Sequence, residues 1–300
     1  EYIKKNIKEN PEYIRSRIFY IEKLTKPPIS KLGEGFIEAF KAYKRYPENL
    51  DVINLLAKIS SNLNLYKVAE EMELVLEKVY PENQSILEIK MNNLMNREKF
   101  DQVAIFLGDF LKKINLPESS FEGLSFEVFK SQLLHQKSNK INGLIQKHHP
   151  YLLSDTLTTV PENVYVSLTP LITYFKHEKK SIIANRLTTI FRTTLEKKYE
   201  FDGDITKEKV FMLDNRILLA ALLNDGKLYS AISNELYFNR KVKMVNLNEF
   251  HLNPLYDGIR NTPEVKEQVK RIHQDLNTMK AKAVAYLKNE GIWEKYKEDN

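Results

Sequence analysis

The residues best placed to do chemistry in this chain are six histidines, His135, His148, His149, His177, His251 and His273, and its carboxylates. Two histidines four apart on a helix, or an HExxH segment, would hold a metal that activates water. Neither spacing occurs, and the adjacent His148 and His149 diverge by about 100° on a helix, a poor geometry for sharing an ion. Carboxylate pairs such as Glu70 and Glu71 could serve acid–base catalysis only if a pocket set their protonation apart; in a helical run they read as solvated charges. No GxGxxG, GxxxxGK[ST] or GxSxG segment is present, so neither a phosphate cradle nor a nucleophile elbow has a candidate. The absence of cysteine removes disulfides, thiolate metal sites and cysteine nucleophiles, and suits cytoplasm and periplasm equally. Catalysis, a metal and a small-molecule cofactor are therefore not expected.

Charge and hydropathy point the same way. The 46 basic and 40 acidic side chains leave a net charge of +6, a small excess over a large total. The densest basic runs, Lys176 to Lys180 and Lys197-Lys198, contain or adjoin acids, unlike the clustered Lys and Arg of a nucleic-acid footprint. Base stacking needs aromatic residues beside such clusters, and only Arg17 and Tyr20 offer a weak instance. The longest apolar run, Ile217 to Leu223, falls far short of the roughly 18 residues of a membrane span. The chain opens on a helical pattern (Tyr2, Ile3, Ile7) without a start methionine, as a piece of something longer would.

The elements that must position any site follow from a repeat. Tyr46-Pro47-Glu48-Asn49 returns as Tyr80-Pro81-Glu82-Asn83, 34 residues later, with helical patterns over 50–62 and 65–79 between the copies. One helix pair per fixed period of this size signals a helical solenoid. Before it, helices are expected over 12–24 and 30–45, the second carrying Gly35, Ala39 and Ala42 along one side, where a neighbouring backbone can approach closely. After it, 121–136 and 141–149 read as an irregular pair. Pro161-Glu162-Asn163 then repeats the turn and leads into helices over 164–175 and 180–198. Gly226 is expected in the left-handed turn of a last hairpin, and a long helix over 264–289 closes the chain, with Trp293 anchoring its end on the last pair.

The pattern resembles the tetratricopeptide repeat. With Leu50 as position one, Leu56 and Ala57 fall at seven and eight, Tyr66 at seventeen, Ala69 at twenty and Pro81 at thirty-two. The next unit, from Gln84, keeps the register through Leu87, Phe100, Val103 and Phe110, its proline displaced to Pro117; the preceding one, from Ser16, matches through Gly35, Ala39, Ala42 and Pro47. The tail Asn253-Pro254-Leu255-Tyr256-Asp257-Gly258-Ile259-Arg260-Asn261-Thr262-Pro263 is similar to the DPxFxxLRxxPRF ending of bacterial repeat regions, which are fused to winged-helix transcription regulators, nucleotide cyclases or protein kinases. Val265 stands where that ending has an aromatic residue.

The resemblance implies an all-α, right-handed superhelix of helix hairpins, with repeats over 1–117, an irregular linker or degenerate repeat over 118–160, and repeats with a closing helix over 161–300. It implies a non-catalytic module of a bacterial signalling or transcription-regulatory protein that binds a protein or peptide. The first helix of each pair would line a concave groove, through Arg17 and Tyr20, then Asp51, Asn54, Lys58 and Asn62, then Ser85, Glu88 and Asn92. Asparagine can meet an extended peptide with both donor and acceptor. Asn54 and Lys58 occupy the positions of a carboxylate clamp with the residue types exchanged, and Glu88 would repel a carboxylate. A helical-repeat RNA-binding protein is the alternative, but Asn54, Glu88 and Thr169 do not form a base-reading set, so nucleic acid is disfavoured. A homodimer through the closing helix is the remaining partner considered.

Overall fold

The computed structural model describes residues 5, 7, 9–10, 12–25, 31–81, 85–97, 99–113, 120–133, 139–160, 168–198, 204–240, 250 and 253–298. All regular secondary structure among them is helical, and none of the described helices is long and apolar enough to cross a membrane. The chain forms two compact units that do not follow chain order. One contains Glu1–Lys99, Arg240–Asn246 and Val269–Asn300; the other contains Phe100–Asn239 and Leu247–Gln268.

The first unit holds α1 (Ile14–Thr25), α2 (Leu32–Arg45), α3 (Leu50–Asn62), α4 (Tyr66–Val79) and α5 (Ser85–Asn96). Local chemistry sets the bounds of α3. Asn49 accepts a hydrogen bond from the Val52 amide at 3.1 Å and caps the helix start. At the other end Asn64 turns left-handed (φ 55°), and the Leu65 amide donates back to the Ser60 carbonyl at 2.9 Å, the six-residue closure that ends many helices. Two tyrosines tie each turn to the one before it: Tyr46 Oη donates to the Glu12 carbonyl at 3.2 Å and Tyr80 Oη to the Glu48 carbonyl at 2.7 Å. Gly35 lies against the Thr25 side chain, giving α1 and α2 the close approach expected of small residues. The alternate helices stack, α1 on α3 and α3 on α5.

The long helix α13 (Pro263–Asn289) belongs to the first unit from Val269 onward. There it runs beside α2 and parallel to it. A Cβ on Gly33 would sit 2.5 Å from the Met279 carbonyl, Lys282 lies 3.6 Å from Glu34, the Phe40 and Tyr286 rings meet edge-on at 6.0 Å, and Lys44 pairs with Glu290. The short α14 (Trp293–Tyr296) follows. Trp293 is thus not an anchor on the last helix pair; it packs on the core of α2, α3 and α4, because α13 carries the chain end back to the first hairpins.

The second unit contains α6 (Phe100–Lys113), α7 (Phe121–Leu133), α8 (Asn139–His148), α9 (Leu168–His177), α10 (Ser181–Lys198), α11 (Val210–Leu222) and α12 (Gly226–Asn234). Here too alternate helices stack, α7 on α9 and α9 on α11. After α8 a tight 3-10 turn at Pro150–Leu153 is held by Arg186, which donates to the Leu152 carbonyl (3.3 Å) and Asp155 (2.8 Å). The turns at Lys179 (φ 57°) and Asn224 (φ 58°) repeat the closure seen at Asn64. Asn224 therefore takes the left-handed position expected of Gly226. Asparagine tolerates that backbone, and Gly226 instead opens α12, where a Cβ would lie 2.5 Å from Thr262 Oγ1. Pro161-Glu162-Asn163, Glu82, Asn83 and Pro117 lie outside the described residues, as do the side chains of Ser85, Leu87, Glu88 and Phe110.

Candidate functional site

On α3 the apolar residues Val52, Ile53, Leu56, Ala57 and Ile59 are buried. Asp51, Asn54, Lys58 and Asn62, spaced three, four and four apart, form one strip on the remaining face. Asp51, Lys58 and Asn62 are exposed and Asn54 is half-buried. On α1, which stacks on α3, Arg17 and Tyr20 are half-buried; on α5, Asn92 is half-buried. Arg17 Nε and Asn54 Oδ1 are enclosed without a hydrogen-bond partner among the described residues. Asn54 therefore has its amide oxygen turned inward. The strip carries both charge signs, so it suits a polar chain better than a uniformly charged one.

The opposite flank of the same helices is filled from within. An antiparallel ladder joins α4 to α5: Glu70 with Arg97, then Lys90 with Glu73 (3.3 Å) and Glu77 (3.0 Å). Burial pushes the Glu73 carboxyl up against the opposing pull of Lys90. Asn93, almost fully buried beside this ladder, was not among the residues singled out from sequence; its neighbour Asn92 was. The elements α13 and α14 lie against α2 and α4, whereas the strip is carried by α3.

Among the described residues, no cluster of three or more His, Asp or Glu is placed to hold a metal. Among the described residues the buried carboxylate Glu208 pairs with Arg216. His177 Nε2 lies 3.5 Å from Asp257, which in turn pairs with Arg260 at 2.7 Å. Arg260 also donates to the carbonyls of Phe250 (3.1 Å) and Asn253 (3.0 Å). The Arg of the Asp-Gly-Ile-Arg segment is thus a staple for the turn before α13.

A polar cluster in the second unit escaped the sequence reading. With its amide oriented as the neighbours require, Gln268 donates to Ser230 Oγ (2.9 Å) and the Ser230 carbonyl (3.1 Å), and accepts from Ser233 Oγ (2.6 Å) and the Asn234 amide (3.1 Å). The side-chain amide stands between the carbonyl and amide of residues four apart, as an inserted peptide unit would, and the helix continues as a wider π-turn over Glu235–Asn239. The available signal was a polar residue in the apolar register Val265, Gln268, Ile272. Val265, Ile272, Ala283 and Leu287 of α13 are buried within the chain and Val269, Leu276, Met279 and Val284 are half-buried, while Lys270, Arg271, His273 and Asp275 face solvent.

Compared with protein-family models, with curated proteins and with solved structures, the chain matches none.

Proposed function

We propose that this chain is a non-catalytic interaction module of a bacterial signalling or regulatory protein, a tetratricopeptide-like superhelix that binds an extended peptide segment along α1, α3 and α5. The strip of Asp51, Asn54, Lys58 and Asn62 carries this reading. It is polar, Asp51, Lys58 and Asn62 in it are exposed, and α2 and α4 beside it carry α13 and α14. The 34-residue period and the bacterial-type tail support the regulatory context.

The test is selection of peptides from a displayed library on the wild-type protein, followed by solution affinities against Asn54→Ala/Lys58→Ala and a single-stranded RNA probe. The expected result is peptide binding weakened about tenfold or more in the double variant, roughly 1.4 kcal/mol, with RNA bound weakly and indifferently to the substitutions. Peptides bound equally by both proteins would remove the strip from the site. Tight RNA binding lost in the double variant would replace the peptide reading altogether.

A further inference from the structure

We propose that the surface of α2 and α4 is a docking seat for a short helical segment bearing Trp and Tyr three residues apart and a carboxylate two residues later, and that Ile292–Glu298 occupies it as a removable strap. This surface is distinct from the strip on α3.

The chain breaks cleanly before the strap. Gly291 has φ 71°, and a Cβ there would meet nothing within 4 Å, so its glycine is needed for the left-handed backbone alone. The Ile292 amide closes back to the Leu287 carbonyl at 3.0 Å, which ends α13. Before the break, α13 is held mainly along α2, through Glu34, Phe40 and Lys44. After it, the polar contacts go to α4. Tyr296, 4% exposed, meets Phe40 edge-on at 6.0 Å while its hydroxyl lies 3.3 Å from Glu71 Oε1. Lys295 pairs with Glu71 at 2.5 Å.

The seat is also incomplete without the strap. Asn49 and Asp225 cap the starts of α3 and α12 with their own side chains, but the residue before α4, Leu65, has none to offer. Glu298 Oε1 accepts from the Lys67 amide at 3.0 Å and supplies that cap from the far end of the chain. Carboxylates are favoured at a helix start both by the free amides and by the helix dipole. Grooves recognise short helical segments by anchors at helical spacing, and here Trp293 and Tyr296 are three apart, Lys295 adds a matched charge and Glu298 a side-chain carboxylate.

The test uses the full chain with a protease site inserted between Glu290 and Gly291, cleaved after folding. Trp293 is the sole tryptophan, so its fluorescence reports the strap before a competitor is added, and an isotope-labelled competitor read by mass spectrometry reports exchange. The expected result is a released-on-competition fragment: it stays bound after cleavage, a synthetic peptide of residues 291–300 displaces it, and the remainder keeps its helical circular dichroism. A Lys295→Glu competitor should be about tenfold weaker and recover on a Glu71→Lys protein. Loss of the fragment on cleavage, failure of excess peptide to displace it, or unfolding of the remainder on displacement would each overturn the proposal. Should the insertion block folding, hydrogen exchange on the unaltered chain decides: exchange of amides 292–298 well ahead of the α2 amides supports a separable strap, and exchange only with global unfolding overturns it.

Discussion

The hairpins at Asn64 and Asn224 turn in the same way and then end differently. Each has a left-handed asparagine, and in each an amide reaches back five residues, Leu65 to Ser60 and Asp225 to Ala220. After the first turn α4 runs 14 residues and stops at Tyr80-Pro81. After the second, α12 lasts 9 residues before widening into a π-turn around the Gln268 amide. A hairpin turn is therefore a local decision. The exit of its second helix is local where proline stops it, and tertiary where a distant side chain enters the hydrogen-bond ladder.

The comparison breaks first at Gln268. Gln268→Leu removes the partner shared by the Ser230 and Ser233 hydroxyls and the Ser230 and Asn234 backbone groups; Ser230 Oγ keeps the Glu264 carbonyl (3.3 Å), and each buried group left unmet costs about 1–3 kcal/mol. An overall loss of about 2–4 kcal/mol is expected in urea unfolding, with the exchange of amides 234–239 accelerated most. A loss no larger than about 0.5 kcal/mol would mean that the π-turn is set by its own residues.

A smaller effect sharpens the likeness of the two turns. Asn64→Ala and Asn224→Ala should each cost about 1 kcal/mol, because alanine pays the left-handed penalty in full. Glycine should separate them. Asn64→Gly is expected to be neutral or slightly stabilising. Asn224→Gly should be destabilising, because the Asn224 side chain packs directly on Gly258 and its removal opens that contact. Equal responses to glycine in chemical denaturation would show that this packing carries no energy.

The smallest difference lies in alkaline titration. Burial and the neighbouring Glu290 push Tyr286, in the first unit, up from 10.0 to about 12. A group raised on folding stabilises fully below its unfolded value and loses that contribution as pH rises. The first unit should therefore weaken between pH 10.0 and about 12, and Tyr286→Phe should remove that share of the decline. In the second unit, Lys176 donates to the Leu222 carbonyl at 2.7 Å, and burial lowers its pKa. Its penalty is present at neutral pH and is relieved as pH rises through the lowered value toward 10.5. Thermal unfolding of Tyr286→Phe and Lys176→Met across this range checks both signs.

Much of the helical plan was legible because its signals are short-range. The pattern over 50–62 coincides with α3, since Pro47, the Asn49 cap and Asn64 lie within a few residues of its ends. The candidate strip was legible in the same way: residues three and four apart share a face whatever lies beyond, and Asp51, Lys58 and Asn62 are accessible as that spacing implies. Gly226 and Asn224 were less so, because two residue types can serve one left-handed position and only the packing of Thr262 assigns glycine its different task.

By itself, then, the sequence determined an all-helical chain, the place of the hairpin between α3 and α4 and the buried face of α3, all consequences of residue type and spacing over a turn or two. Tertiary structure alone decided that α13 lies along α2, that Tyr296 and Glu298 complete α4, and that Gln268 enters α12. Those contacts join residues more than thirty to over two hundred positions apart. No local periodicity encodes them, because what selects each partner is the shape and the unmet hydrogen bonds of a surface that exists only after the hairpins have formed.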